Sequence, residues 1–121
     1  MNKLYIPGDL VYIHGSLRII NNCDGYYATY YDEDETLQEI NVNVIEGIPL
    51  TPEILKKNGW MLFRMYHWFI EKECLKLRLL ELDNHSWYVY IGDNLIRRNM
   101  HSVSDLQHFL FGLGINHEME V

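Results

Sequence analysis

Along the first half of the chain, apolar and polar residues trade places in short runs separated by polar turns. Residues 9–15 (DLVYIHG) set Leu10, Tyr12 and His14 against Val11 and Ile13, the alternation of a half-buried strand. Gly15 and Ser16 turn the chain into residues 17–20 (LRII). Residues 21–25 (NNCDG) read as a loop, being rich in types that tolerate left-handed backbone. Residues 26–31 (YYATYY) are β-prone and residues 32–35 (DEDE) form a solvated turn. Residues 36–45 then set Gln38, Ile40, Val42 and Val44 against Leu37, Glu39, Asn41 and Asn43, so one face turns inward. Strands this short, joined by tight turns, predict a small barrel or a curled sheet.

The pattern changes in residues 45–60 (IEGIPLTPEILKKNGW), where punctuation predicts a short helix. Thr51 suits the N-cap, Pro52 the first turn and Glu53 the positive helix end. Lys56 and Lys57 complement the C-terminal end, and Gly59 stops the helix. Residues 60–70 (WMLFRMYHWFI) are apolar on both faces, which predicts a central strand covered on both sides. Residues 74–82 alternate Leu75, Leu77 and Leu79 against Lys76 and Arg78, then slip phase at Leu80. A bulge accounts for the slip, with a helix as the competing reading because Leu, Lys, Arg and Glu all favour one. A turn at 83–86 leads to a strand at 87–91, and a hairpin turn at 92–94 leads to a strand at 95–99. Residues 102–114 predict an amphipathic helix. Ser102 and Asp105 form its capping box, Val103, Leu106, Leu110 and Leu113 its apolar face, and Phe109 lies beside them. The tail 115–121 is expected to fray.

These elements predict an α+β protein built as one compact unit. Residues 1–48 make a β subdomain, 49–59 a linking helix, and 60–121 an antiparallel meander with the C-terminal helix packed on it.

Length and charge narrow the range of functions. At 121 residues the chain is of single-domain size. It contains no run near the ~20 apolar residues of a membrane span. Pro7, Gly8 and Asp9 interrupt the start where a signal peptide would be apolar, so a cytoplasmic protein is expected. The net charge is −7, and residues 1–50 hold eight acids against Lys3 and Arg18. Phosphate backbones are gripped by basic surfaces, so nucleic acid is disfavoured as a partner, though a local basic patch could survive in the second half. Cys23 and Cys74 are too few for a disulfide framework or a metal knuckle, and read as reduced thiols.

Three stretches carry a resemblance. Residues 8–15 (GDLVYIHG) fit a GDxVYxxG start, residues 47–55 (GIPLTPEIL) a GIPLTxEIL middle motif, and Val103, Leu106, Gln107, Phe111 and Leu113 a VHxLQNLYFALTG-like final helix. In that order they resemble a small uncharacterised protein family of Bacteroides-type bacteria and their phages. Ser104 and His108 stand where the family usually has His and Asn, so no role passes to this chain from that family histidine. The resemblance implies an SH3-like N-terminal β-barrel and a phage or mobile-element setting within a bacterial host cell. It implies no activity.

The residues themselves hold little that points to catalysis. The six histidines show no HxH, HxxxH or HExxH spacing, and there is no nucleophile elbow, P-loop or GxGxxG. No cofactor, metal or catalytic residue is expected. Six of the nine tyrosines fall within the first 31 residues, and tyrosine supplies interface area at low entropic cost. Tyr27 and Tyr31, with Asp32, Glu33, Asp34 and Glu35 beside them, form the expected partner-binding set; a tyrosine-rich barrel with solvated acids is the plainer reading. Arg64 interrupts an aromatic strand. With Tyr66 and Trp68 it lines an alternative pocket for an anionic, nucleotide-like ligand, unless a buried carboxylate pairs with it. The expected function is a non-catalytic interaction protein of a phage or mobile element. It would bind a host or viral protein, with inhibition of a bacterial defence system as the sharper form and a homo-oligomer as a further possibility. Small-ligand sequestration is the alternative, and an enzyme the remotest reading.

Overall fold

The computed structural model of the chain describes residues 4–82 and 86–121, so all of the expected turn at 83–86 except Ser86 lies outside the described residues. Gly15 adopts φ +79, which lets β1 (Leu10–Ile13) fold back tightly onto β2 (Ser16–Ile19). The stretch expected as a loop holds a short strand, β3 (Asn22–Cys23), paired with β4 (Tyr27–Tyr31). β4 pairs in turn with β5 (Leu37–Asn41). The predicted strand at 36–45 does not run through. Asn41 accepts a hydrogen bond from Asn43 N–H and caps a 3₁₀ turn, Val42–Val44. That turn delivers β6 (Ile45–Gly47) to the far side of β1. Among the described residues the first half is therefore two three-stranded sheets, β2-β1-β6 and β3-β4-β5, and not a closed barrel.

Both sheets contribute to a small core. Val11 and Ile13 from β1 meet Ala28 from β4 with Ile20, Val42 and Ile45. The next residues of the chain then cross to the second half. Pro49 bridges Ser102, Leu50 N–H donates to His101 O, and Val103 N–H donates to Ile48 O. Thr51 caps α1 (Pro52–Lys57) as its sequence predicts, its hydroxyl accepting from Ile54 N–H.

The second half is a five-stranded antiparallel meander in chain order: β7 (Met61–Arg64), β8 (His67–Lys72), β9 (Leu75–Glu81), β10 (Trp87–Ile91) and β11 (Asn94–Met100). The central strand predicted at 60–70 is instead two strands. The chain turns at Met65 and Tyr66, with Tyr66 at φ +66, and β7 becomes the edge of the sheet. Its apolar side chains are not covered on both sides, because Met61 and Phe63 are both 69% exposed. Residues 75–81 are strand, and the predicted bulge is absent, since β9 keeps an unbroken register with both neighbours. Leu80 is apolar out of phase because it lies half-buried on the opposite face. The register shifts fall between β7 and β8 and between β10 and β11.

α2 (Val103–Gly112) covers the other face with its expected capping box. Leu106 and Leu110 join Trp68, Leu77, Leu79, Trp87 and Val89 in the larger core. The tail is held in place: Ile115 is buried, and Asn58 exchanges two hydrogen bonds with the Glu120 backbone. Fraying is the expectation for a chain terminus, and here the Asn58 amide at the end of α1 overrides it.

Candidate functional site

β2 has its pattern inside out. Leu17 and Ile19 point to solvent, while Ser16 and Arg18 turn in and are half-buried. An apolar stripe facing water on a short edge strand is the reverse of what folding alone selects. Arg18 is turned in by two partners. Its Nη2 donates to Glu33 Oε1 at 2.6 Å, and its guanidinium lies 5.7 Å from the centre of the Tyr30 ring. That contact holds Glu33 below the usual carboxylate range and raises Arg18. Leu17, Arg18, Ile19, Ile20, Asn21 and Tyr31 line a groove of about 390 Å³. Tyr31 is exposed and stands opposite Leu37, which is exposed as well, so the apolar stripe continues onto the second sheet.

The acidic loop rims this groove, with its four acids in different roles. Asp32 Oδ1 accepts from Asp34 N–H and Thr36 N–H, and its Oδ2 accepts from Gln38 Nε2. Those bonds, led by Thr36, hold its pKa low and make it the brace of the turn. Glu33 is committed to Arg18. Asp34 and Glu35 are exposed, with Glu35 at φ +58 at the tip. Tyr31, Asp32, Glu33, Asp34 and Glu35 are thus brought together. Tyr27 is not among them, since it stands at the other end of β4 opposite Asn41, beside a separate hollow with Cys23 and Asp24.

The alternative set is not assembled. Trp68 is buried in the larger core, Tyr66 sits exposed in the β7–β8 turn, and Arg64 extends over Phe63 with its guanidinium 5.3 Å from the ring centre. The hairpin turn separates residues that a single continuous strand would have placed on one face.

A buried polar knot lies outside what hydrophobic periodicity picks out. Asp9 has no exposed surface; its Oδ2 accepts from Ile6 N–H and pairs with His108 Nε2 at 2.5 Å. Gln107, equally buried, accepts from Leu10 N–H through Oε1, and its Nε2 donates to the carbonyls of Gly8 and His117. The knot ties β1 to α2. Its only trace in the sequence was a glutamine among the apolar positions of the last helix. Among the described residues, no three His, Cys, Asp or Glu side chains are grouped to hold a metal ion, and no helix is long and apolar enough to cross a membrane. No family model, curated protein or solved structure matches the chain.

Proposed function

We propose that this is a non-catalytic interaction protein that docks a protein partner in the groove between β2 and the β4–β5 hairpin. The observation that carries the reading is the reversed pattern of β2, which spends Leu17 and Ile19 on solvent while turning an arginine inward. β2 is also the edge of its sheet, the position where an extended peptide adds by backbone pairing. The occupant that fits is an extended segment with apolar residues at alternate positions and basic residues toward Asp34 and Glu35. The two small sheets joined by a 3₁₀ turn support an SH3-like reading of the first half. The family resemblance supports a phage or mobile-element setting, with a host or viral protein in the bacterial cytoplasm as partner. Inhibition of a defence system is the sharpest form of that proposal.

Affinity capture from host lysate tests it. A stoichiometric partner is expected to be retained by the parent chain and by Tyr27→Ala, and lost on Leu17→Glu combined with Ile19→Glu. Each of these side chains is exposed, so the fold should survive. Capture that is indifferent to the Leu17/Ile19 pair rules the groove out.

A further inference from the structure

A second surface lies on the face of the five-stranded sheet turned away from α2. Residues directly opposed in an antiparallel pair share a face. By register, Met61, Phe69, Arg78, Tyr90 and Leu95 form one row across all five strands. His67 lies in the next row, with Arg64 and Leu80 as its partners and Tyr88 beyond Leu80. Cations and rings are interleaved there. The Arg78 guanidinium lies 4.3 Å from the centre of Tyr90, and Arg98 lies 5.8 Å from that of Tyr88.

Among the described residues no ion pair within 4 Å holds these cations, although Glu71 stands opposite Lys76 in register and Asp93 lies on the same cleft. Among the described residues, the ion pairs are Arg18–Glu33, Arg97–Asp105 and His108–Asp9, none of which involves Arg64, Lys76, Arg78 or Arg98. Arg78 Nε and His67 Nδ1 are buried with no hydrogen-bond partner. Burial, then the charges of Arg78 and Arg64, push the His67 pKa below its ordinary value, so the group is mutually repulsive as it stands. Beside it a cleft of about 370 Å³ is lined by Phe63, Phe69, Lys76, Arg78, Gly92 and Asp93.

We infer that this cleft binds a nucleoside phosphate, its base against Phe63 and Phe69 and its phosphate between Arg78 and Lys76. The volume falls within the ~300–1,000 Å³ of small-molecule sites. Aromatic rings take any base by its π-face, and the arginine fork matches two phosphate oxygens. Asp93 on the rim accepts only, which suits an exocyclic amine of the base. A free nucleotide is favoured over single-stranded nucleic acid, because a chain of net charge −7 offers no continued basic track for a polyanion.

Isothermal titration with AMP, GMP, CMP, UMP, inorganic phosphate and a single-stranded oligonucleotide decides the matter. Saturable one-to-one binding of at least one of the four nucleotides is expected, clearly tighter than inorganic phosphate. Lys76→Gln and Phe63→Ala should each weaken it roughly tenfold, with the melting temperature little changed because both side chains are exposed. Leu17→Glu, on the other surface, should leave it intact. The inference is overturned by any of four results: no saturation by a mononucleotide at millimolar concentration, equal affinity for inorganic phosphate, binding of the oligonucleotide alone, or indifference to both cleft substitutions.

Discussion

Gln107 has no exposed surface, and its one amide satisfies three backbone groups from two segments, at Gly8 and Leu10 and at His117. Gln107→Leu keeps much of the volume but leaves the Leu10 N–H and two carbonyls without this partner. An orphaned buried polar group costs about 1–3 kcal/mol. The variant is therefore expected to lose about 3 kcal/mol in a urea titration at unchanged slope, the carbonyls recovering part of the penalty from water. A loss no larger than that of an ordinary surface substitution would show that the knot is dispensable. Asp9 is satisfied only in part: its Oδ2 is matched to His108 and to the Ile6 amide, while its Oδ1 is buried without a partner. At this scale, side chains whose hydrogen-bonding groups are used up are structural. Those exposed, such as Leu17 and Ile19, or unpartnered beside an open cleft, such as Arg78, are the ones that point outward to a ligand.

Single elements divide according to whether their cues are local. The Ser102 hydroxyl accepts from Asp105 N–H, and the Asp105 carboxylate accepts from Ser102 N–H in return. Ser102→Ala should therefore cost about 1 kcal/mol, read as a lower melting temperature with the strand signal retained. Both helices were legible because caps, proline and flanking glycine all lie within a few residues. β9 was legible as a strand from Leu75, Leu77 and Leu79, but its phase slip was misread. An apolar residue such as Leu80 can lie on a half-covered outer face as readily as beside a bulge. The β7–β8 hairpin was illegible for a physical reason. Its turn is made by Met65 and Tyr66, neither a turn-forming residue, and its apolar side chains face solvent, so pattern and position disagree. Of the candidate site, the acidic loop and Tyr31 could be read from composition. The outward stripe of β2 could not, because alternation gives the two faces of a strand without saying which of them meets the core.

The whole molecule is held together by a strand with two allegiances. Leu10 belongs to the larger core, while Val11 and Ile13 belong to the smaller one. β1 is thus a common wall, and neither half can release it without opening the other. A single cooperative unfolding transition is expected, with far-ultraviolet dichroism and tryptophan fluorescence superimposing. Trp60, Trp68 and Trp87 all report from the larger core. A fluorescence transition displaced from the dichroism curve would mean that the halves melt independently.

The tie between β1 and α2 also orders events in time. Leu10 waits for an acceptor 97 positions further along the chain. At synthesis rates of about 5–20 residues per second, the first strands leave the ribosome several seconds before that glutamine does. Contacts this distant in sequence close late. The small core can gather while translation proceeds, whereas Leu10 and the inner face of the meander stay uncovered until the last helix emerges. A nascent chain halted just short of α2 would therefore be a chaperone client, with its first half shaped and its larger hydrophobic surface open to the cell.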